Sequence, residues 1–307
     1  MSLKPFNEHY LFKNNASDSH RLDKQYLLFQ KCFDRGPVTL AGSLKKDRVN
    51  KVLDVAAGSL AWALDVARSA DSSKIQLYAC DITPDNFPPT SVTNALSITT
   101  FVHDVTRPFP EDMIGQFDVV NMRLLMYALS EDQWKKALNN IYDVLRPGGQ
   151  LLLLECDITW FTSEEIDLAQ NTVGSWLSPF NHMFLKHSEL TGYVPNLTKR
   201  LPEMLHNCSF SIQEQYIGQF PMGVTGKTCR SLGDASLAGD EDFTAGVAKM
   251  ITNRISVEAL AGNYLNDNDG NLITAESGRI QLIEKFNRNL DKNGVLFQAT
   301  HIIAVRI

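Results

Sequence analysis

The sequence of 307 residues predicts an α/β protein built on a seven-stranded, mostly parallel sheet with helical insertions that form a lid. Between residues 51 and 156, short apolar runs alternate with helical segments, which is the signature of βα units. The first apolar run leads directly into a turn of small residues and a helix. The last apolar run, 295–307, follows a helical stretch, and we expect it to join the sheet as an antiparallel strand beside the fifth.

The first five strands are assigned from short apolar runs with turn residues at both ends. They are expected at 51–55, 75–80, 98–102, 117–122 and 150–156. Two further strand-like runs, 208–220 and 295–307, bring the total to seven.

Helices are expected where apolar residues recur at intervals of three and four. An amphipathic helix is expected over 20–33, and a second follows the first strand over about 61–70. Ser130 caps a helix over 131–145, which stops at residues 146–149, Arg-Pro-Gly-Gly, with a tight turn. After residue 156, long helical stretches are expected at 160–190, 234–262 and 275–291.

The charge and composition exclude several classes of partner. Lysine and arginine number 29 against 35 aspartates and glutamates, a net charge of -6, so no basic surface for nucleic acid is expected. The longest apolar stretches, such as 151–154, are far shorter than the roughly 20 residues of a membrane-spanning helix. Because the start of the sequence lacks the features of a secretory signal, we expect a cytoplasmic protein.

Metal binding is also not expected. The five cysteines are scattered without a C-x-x-C pair, and Cys80 and Cys156 fall in strand-like runs as reduced core residues. The polar run 266–271 is similar to a calcium loop only in part. With Asp267 counted first, Gly278 occupies the twelfth position, where such a loop needs a carboxylate. The sequence therefore predicts a plain loop.

The strongest functional signal is the turn after the first strand, Ala56-Ala57-Gly58-Ser59-Leu60. Gly58 has no Cβ, so a polar ligand group can lie against its main chain. The helix that follows presents free N–H groups at its N-terminus. The turn is therefore a candidate ligand site, with Ala56 and Gly58 as contact residues.

Residues at the ends of the next three strands lie at the same edge of the predicted sheet. Asp81 ends the second strand, where a carboxylate can accept both hydroxyls of a ribose. Asp104, after the third strand, can accept from an adenine amino group, and the Val105 N–H can pair with a ring nitrogen. The predicted nucleotide-shaped site is completed by Ile82, Asn121 and Met122.

On these residues the chain resembles the class I S-adenosylmethionine-dependent methyltransferases, especially those of fungal secondary metabolism. The similarity covers residues 8–157, and its most specific segments are 21–25, 81–84, 87–89 and 145–149. The resemblance implies a Rossmann-like fold with S-adenosyl-L-methionine as cofactor. It also implies a methionine contact, a ribose contact and an adenine contact, roles that fall to Gly58, Asp81 and Asp104. Arg21 is a candidate to reach the cofactor carboxylate.

The turn departs from the G-x-G-x-G pattern of that family. At the three glycine positions this chain has Ala56, Gly58 and Leu60. We expect Leu60 to lie in the core between sheet and helix if the cofactor binds, and to fill the methionine subsite if the site has been closed. A Gly58→Val change is expected to block binding by placing a branched side chain against the ligand.

The expected organisation is a single domain over 1–307. Its parts are an N-terminal helical cap (1–45), a cofactor-binding core (46–157), lid and substrate insertions (158–207 and 221–292) and C-terminal sheet strands (208–220 and 293–307). A lid suits a small substrate better than a protein or a nucleic-acid duplex.

The expected activity is methyl transfer to an O, N or S nucleophile of a small natural-product-type molecule. A hydroxyl acceptor needs a general base, for which His182 and His187 are candidates. An apolar substrate pocket is assigned to aromatic and methionine residues that are otherwise read as core: Trp160, Trp176, Phe180, Phe184 and Met222. Two alternatives stay open: the same fold recruited as a cyclase or isomerase, and a non-catalytic regulator of secondary metabolism.

Overall fold

The computed structural model describes residues 16–32, 49–69, 75–162, 175–223 and 241–307. Within these residues the chain divides into two compact units. The first unit comprises the residues up to Glu155 together with Thr198–Ile217 and Thr300–Ile307. The second unit comprises Cys156–Leu197 and Gly218–Ala299.

Seven strands form one mixed, mostly parallel sheet. In chain order they are β1 (Lys51–Val55), β2 (Gln76–Asp81), β3 (Ile98–Val102), β4 (Phe117–Arg123), β5 (Leu145–Phe161), β6 (Phe210–Met222) and β7 (Val295–Arg306). Their order across the sheet is β3-β2-β1-β4-β5-β7-β6. β1 pairs in parallel with both β2 and β4. Because β7 lies next to β5, the predicted place of the last strand in the sheet is confirmed.

Eight α-helices lie within the described residues. They are α1 (Ala16–Cys32), α2 (Ala61–Arg68), α3 (Thr90–Ala95), α4 (Glu131–Val144), α5 (Ser178–Thr191), α6 (Leu197–Asn207), α7 (Glu241–Ala261) and α8 (Glu276–Asn293). The predicted cap of α4 is confirmed: the Ser130 hydroxyl accepts from the Gln133 N–H, and the Gln133 side chain accepts from the Ser130 N–H. This capping box satisfies two N–H groups at the start of the helix.

The fifth strand is longer than the sequence predicts at both ends. Residues 146–149, expected as a tight turn, lie within β5 as an irregularity: Phe117 pairs with Leu145, and Val119 pairs with Gln150. The strand also continues to Phe161. The prediction that a helix begins at residue 160 is therefore wrong, because residues 160 and 161 still belong to this buried strand.

Other helix predictions differ from the structure in detail. α5 begins at Ser178, and residues 163–174 of the predicted stretch lie outside the described residues. The same holds for residues 234–240 before α7. α6 is missing from the sequence predictions because Pro202 lies inside it, and an internal proline normally ends or kinks a helix.

The core of the first unit lies between the sheet and α2. Val52 of β1, Leu77 of β2 and Val119 of β4 are buried against Trp62 and Val66 of α2 in one apolar cluster. The C-terminal turn of α4 is held by Arg306, whose guanidinium donates to the carbonyls of Tyr142 (2.9 Å), Asp143 (3.1 Å) and Leu145. This cation satisfies carbonyls that an ending helix leaves without partners.

The second unit is organised around α5, α7 and α8. Arg279 of α8 donates to Asn253 Oδ1 (2.7 Å) and Ser256 Oγ (3.0 Å) of α7, and it also binds Glu276. The run 266–271 is a loop closed by a bridge between Asn266 and Leu272. None of the helices among the described residues has the length and apolar character needed to cross a membrane.

Candidate functional site

The turn between β1 and α2 has a left-handed backbone at three alternate residues. The φ angles are +52° at Ala56, +55° at Gly58 and +62° at Leu60. These are the three glycine positions of the G-x-G-x-G pattern, of which only position 58 is glycine in this chain. A left-handed conformation costs a residue with a Cβ about 1–2 kcal/mol. The turn therefore keeps a backbone suited to glycine although only one of the three residues is glycine.

Asp81 holds this turn through its carboxylate. Its Oδ2 accepts from the Gly58 N–H at 2.9 Å, and its Oδ1 accepts from the Thr83 N–H at 3.3 Å. Burial raises the pKa of Asp81, and the N–H donors, Gly58 first, oppose that shift. A carboxylate has about four lone-pair sites, so Asp81 retains acceptor capacity for a ligand hydroxyl.

Gly58 lies against α1. A Cβ built at this position would come within 3.0 Å of Leu22 Cδ1, and the three nearest atoms all belong to the Leu22 side chain. A branched residue at position 58 would therefore crowd the end of the Leu22 side chain and take up an unfavourable φ. We therefore expect Gly58→Val to disturb the site through this contact and through its backbone angle. The sequence alone suggests a direct clash with the ligand.

Leu60 is fully buried in the core between sheet and helix. It belongs to the apolar cluster that contains Val52, Trp62 and Val66. This placement matches the first of the two expectations for Leu60, a side chain turned into the core. The Ser59 hydroxyl is buried in the same turn and has no hydrogen-bond partner among the described residues.

The segment after β3 forms a compact turn around Asp104. Asp104 Oδ1 accepts from the Thr106 N–H (2.9 Å) and the Thr106 hydroxyl (2.7 Å), and its Oδ2 lies 3.6 Å from Arg107 Nε. Val105 is buried, and its carbonyl accepts from Asn140 Nδ2 at 2.8 Å. The carboxylate of Asp104 therefore organises its own loop, with lone pairs remaining for a ligand. Ile82, which follows β2, exposes 36% of its surface.

A buried polar pair joins β1 to β4 below the turn. Asn121 Nδ2 donates to Asp54 Oδ1 at 2.7 Å, and both residues are about 1% exposed. Met122 is fully buried, so its side chain belongs to the core of this unit. Asp54 is absent from the sequence predictions, because a single acid in an apolar strand has no spacing pattern to mark it.

The pH dependence of stability is expected to carry the signature of Asp54. Burial raises its pKa to about 6, against the opposing effects of Arg123 and Asn121. Since the folded pKa lies above the unfolded value, the contribution of Asp54 to stability is present at low pH and is lost as pH rises through about 4 to 6. We expect the difference in free energy of unfolding between the native protein and Asp54→Asn to fall by about 2–2.5 kcal/mol between pH 4 and pH 7. Urea denaturation at pH 4 and pH 7 measures it, and a constant difference would contradict the shift.

α1 contributes two further residues of interest. Arg21 is 9% exposed, and its Nη1 donates to Gln25 Oε1 on the same helix at 2.8 Å. Tyr26 donates its hydroxyl to Asp65 Oδ2 of α2 at 2.6 Å, and its ring lies 4.6 Å from Arg123 Cζ. Tyr26, Asp65 and Arg123 are also absent from the sequence predictions.

The predicted substrate-pocket residues lie in the second unit, where four of them gather around Phe286. Ring centroids lie 4.6 Å from Phe286 for Phe180, 5.5 Å for Trp160 and 5.8 Å for Trp176. Phe184 joins through Trp160 at 4.9 Å. Trp160, Phe180 and Phe184 are almost fully buried, so they form a packed aromatic core. Met222 is buried on β6, and no signal in the sequence marks Phe286 as the hub.

The two candidate bases differ in environment. His182 is exposed on α5. His187 is 2% exposed, with Nδ1 at 3.1 Å from the Tyr264 hydroxyl and 3.6 Å from Glu258 Oε2. Burial, with Glu258 as a lesser cause, raises the pKa of Tyr264 to about 12. The Nδ1 atom of His187 thus has a hydroxyl and a carboxylate as neighbours.

Among the described residues, no group of three or more His, Cys, Asp or Glu side chains is placed to hold an ion. In the first unit, a ligand could contact carboxylate acceptors and N–H or O–H donors at the edge where β1, β2 and β4 end. Asp81, Ser59 and Arg123 therefore suit a polar organic ligand with hydroxyl and carboxylate groups.

The strand order and the β1–α2 turn define a Rossmann-like α/β fold. A family of methyltransferase domains matches residues 52–149, which include Gly58, Asp81 and Asp104. This matched region is about a third of the chain, and it is similar to methyltransferase domains. S-adenosyl-L-methionine is the methyl donor that this domain implies.

Several fungal proteins are similar to this chain. The methyltransferase grgD of Penicillium sp is 26% identical over 200 residues, which are 62% of this chain and 65% of the relative. The secondary metabolism regulator laeA of Gibberella zeae is 25% identical, over 63% of this chain and 59% of its own. The N-methyltransferase tcpN of Claviceps purpurea is 24% identical, over 69% and 73%. The chain thus spans less than two thirds of the length of the first two relatives.

Among solved structures, a putative methyltransferase of Bacillus halodurans is similar to the chain. The sequences are 16% identical, the TM-score is 0.48, and the match covers 89% of this chain and 98% of that one.

Proposed function

We propose that the chain transfers the methyl group of S-adenosylmethionine to a nucleophilic atom of a small natural-product-type molecule, with an amine nitrogen as the acceptor. The cofactor supplies an electrophilic methyl group on a sulfonium. The observation that carries the proposal is the left-handed turn at residues 56, 58 and 60, tied by its Gly58 N–H to Asp81. The similarity to tcpN, an N-methyltransferase, supports nitrogen as the acceptor.

The chain's own residues would bind and orient the reactants. Asp81 would accept from a ribose hydroxyl while it holds Gly58, and Asp104 with Val105 would face the adenine. Ala56, Ile82 and the backbone ends of β1 and β4 would line the remainder of the site. A neutral amine has a lone pair for the displacement and needs little help from a base, so positioning supplies most of the rate.

An acceptor that arrives protonated would need a proton acceptor. His187 is the better of the two candidates, because Glu258 and Tyr264 hold its imidazole on one side. A positioned base typically contributes about 10² to 10⁴ in rate.

Asp81→Ala is expected to weaken cofactor binding by about 1.5–3 kcal/mol, the range for a hydrogen bond to a charged group. Isothermal titration calorimetry with S-adenosylmethionine and S-adenosylhomocysteine measures this change. Asp81→Asn is the matched control for the turn, because its amide oxygen can still accept from the Gly58 N–H. We expect Asn to preserve the melting temperature while it weakens binding, and Ala to lower both.

An unchanged affinity in both folded variants would remove Asp81 from the site. The native protein should bind both cofactor forms. A native protein that binds neither would instead support a second candidate, a non-catalytic regulator, which is favoured by the similarity to laeA.

A further inference from the structure

A face of α7 is exposed to solvent in the second unit. Helix residues three or four positions apart lie on the same face. Four residues of α7 follow this spacing and are all exposed: Met250, Arg254, Val257 and Ala261. The two large apolar side chains among them, Met250 and Val257, expose 42% and 48% of their surfaces. This set of four residues is called the α7 stripe below.

The two sides of α7 that flank the stripe contact other helices of the same unit. On one side, Asn253 and Ser256 accept hydrogen bonds from Arg279 of α8. On the other side, Glu258 Oε2 lies 3.6 Å from His187 Nδ1 of α5. The α7 stripe lies between these two contacts and stays open to solvent.

The spacing of the α7 stripe is symmetric. Its residues follow one another at intervals of four, three and four positions, so the pattern is the same when the helix is read backwards. A two-fold interface brings the same patch of two copies together, and residue i of each copy meets residue j of the other. In an antiparallel pair of α7 helices, the large Met250 of one copy would therefore meet the small Ala261 of the other, twice.

The charges on α7 match the same pairing. Arg254 Nε lies 3.6 Å from Glu258 Oε1 of its own helix, and the two side chains are 43% and 27% exposed. In the register that aligns Met250 with Ala261, Arg254 of one copy and Glu258 of the other lie within about 1.5 Å of each other along the helix axis. The two arginines lie about 4.5 Å apart along that axis, so opposite charges are the nearer neighbours.

We propose that the α7 stripe is the interface between two copies of this chain, packed antiparallel about a two-fold axis. This association is independent of the proposed function. An apolar centre with a charged rim is the usual composition of such a contact. One pair of helices buries less than the roughly 1,600 Å² of a standard interface, so the dimer should depend on concentration. We expect mostly monomer at about 1 μM and mostly dimer at about 100 μM.

Sedimentation velocity of the native chain over this concentration range measures the association. Val257→Arg adds a cation opposite Arg254 of the other copy, so we expect it to raise the Kd of the dimer at least about 10-fold. Position 257 is exposed, so the variant should keep the native fold and melting temperature. Ile114→Arg is the matched control, because Ile114 is 42% exposed but belongs to the first unit. It should dimerise as the native chain does.

A charge exchange on α7 tests the register of the two helices. Arg254→Glu replaces both Arg–Glu contacts across the interface by contacts between carboxylates, so it should raise the Kd about 10-fold. The double variant Arg254→Glu/Glu258→Arg restores opposite charges both within each helix and between the copies. We expect its Kd to return to within about threefold of the native value.

The possible results decide the proposal without reference to methyl transfer. A native chain that remains monomeric at about 100 μM overturns it. A Val257→Arg variant that dimerises as tightly as the native chain, or no more weakly than Ile114→Arg, overturns it as well. A double charge variant that dimerises no better than Arg254→Glu contradicts the antiparallel register. Cofactor affinity, measured separately on the native chain, tests the proposed function alone.

Discussion

Replacing Leu60 with alanine is expected to lower the free energy of unfolding by about 2–5 kcal/mol, the range for a buried leucine truncated in a packed core. Leu60 is fully buried against Trp62 and Val66, so the change leaves a cavity that neighbouring side chains fill only in part. The left-handed backbone at this residue is unchanged by the substitution. Urea denaturation followed by circular dichroism measures the loss.

Leu60→Gly provides the matched comparison. Glycine leaves a cavity larger by one methyl group, but it adopts a φ of +62° without the penalty of about 1–2 kcal/mol that alanine retains. Part of this gain is offset by the greater freedom of glycine in the unfolded chain. We therefore expect Leu60→Gly to be about 0.5–1 kcal/mol more stable than Leu60→Ala, although still less stable than the native protein. The reverse order would contradict the left-handed backbone.

Cofactor affinity in the Leu60 variants tests whether the leucine side chain lies in the core or fills the methionine subsite. A side chain packed in the core should leave binding unchanged when it is removed from a protein that stays folded. Markedly tighter binding by Leu60→Gly would show instead that the native leucine fills the methionine subsite.

Asn181→Ala is expected to destabilise the second unit by roughly 2–6 kcal/mol, because it leaves two buried backbone groups without their partner at about 1–3 kcal/mol each. Asn181 Oδ1 accepts from the Trp160 N–H at 2.9 Å, and its Nδ2 donates to the Trp160 carbonyl at 2.8 Å. The side chain thus acts as a short stretch of strand beside the end of β5. The quenching of tryptophan fluorescence during urea denaturation measures the change.

Asn289→Ala is the control for this prediction. Asn289 makes a side-chain hydrogen bond of the same length, 2.8 Å, to the Lys285 carbonyl, but it does so on the exposed surface of α8. Water replaces that bond, so we expect a change within about 0.5 kcal/mol. Equal effects at positions 181 and 289 would mean that the amide of Asn181 is not needed to satisfy β5.

The sheet could be predicted from the sequence because each of its first five strands is a short apolar run next to a helical segment. The ends of the strands were harder to predict. Residues 146–149 contain proline and two glycines, which predict a turn, yet the strand absorbs them as a bulge between the pairs Phe117–Leu145 and Val119–Gln150. β5 also extends to Phe161, where Trp160 is held by a side chain distant in sequence. Tertiary hydrogen bonds of this kind leave no local pattern.

The candidate site shows a similar division. Gly58, Asp81 and Asp104 could be found because they stand at strand ends, and the structure joins the first two by a hydrogen bond. Asp54, Tyr26 and Arg123 could not, because an isolated polar residue in an apolar segment acquires meaning only from its partners. The backbone conformation of the turn could not be predicted either, since alanine and leucine rarely adopt positive φ.

The turn also bears on how such chains diverge from one another. With left-handed angles at positions 56, 58 and 60, the path of the main chain survives the exchange of glycine for alanine or leucine, at a cost that the surrounding core offsets. The backbone angles of such a turn can therefore be kept by sequences that differ at these three positions. A search pattern written in glycines would pass over this chain, whereas one written in backbone angles would retrieve it.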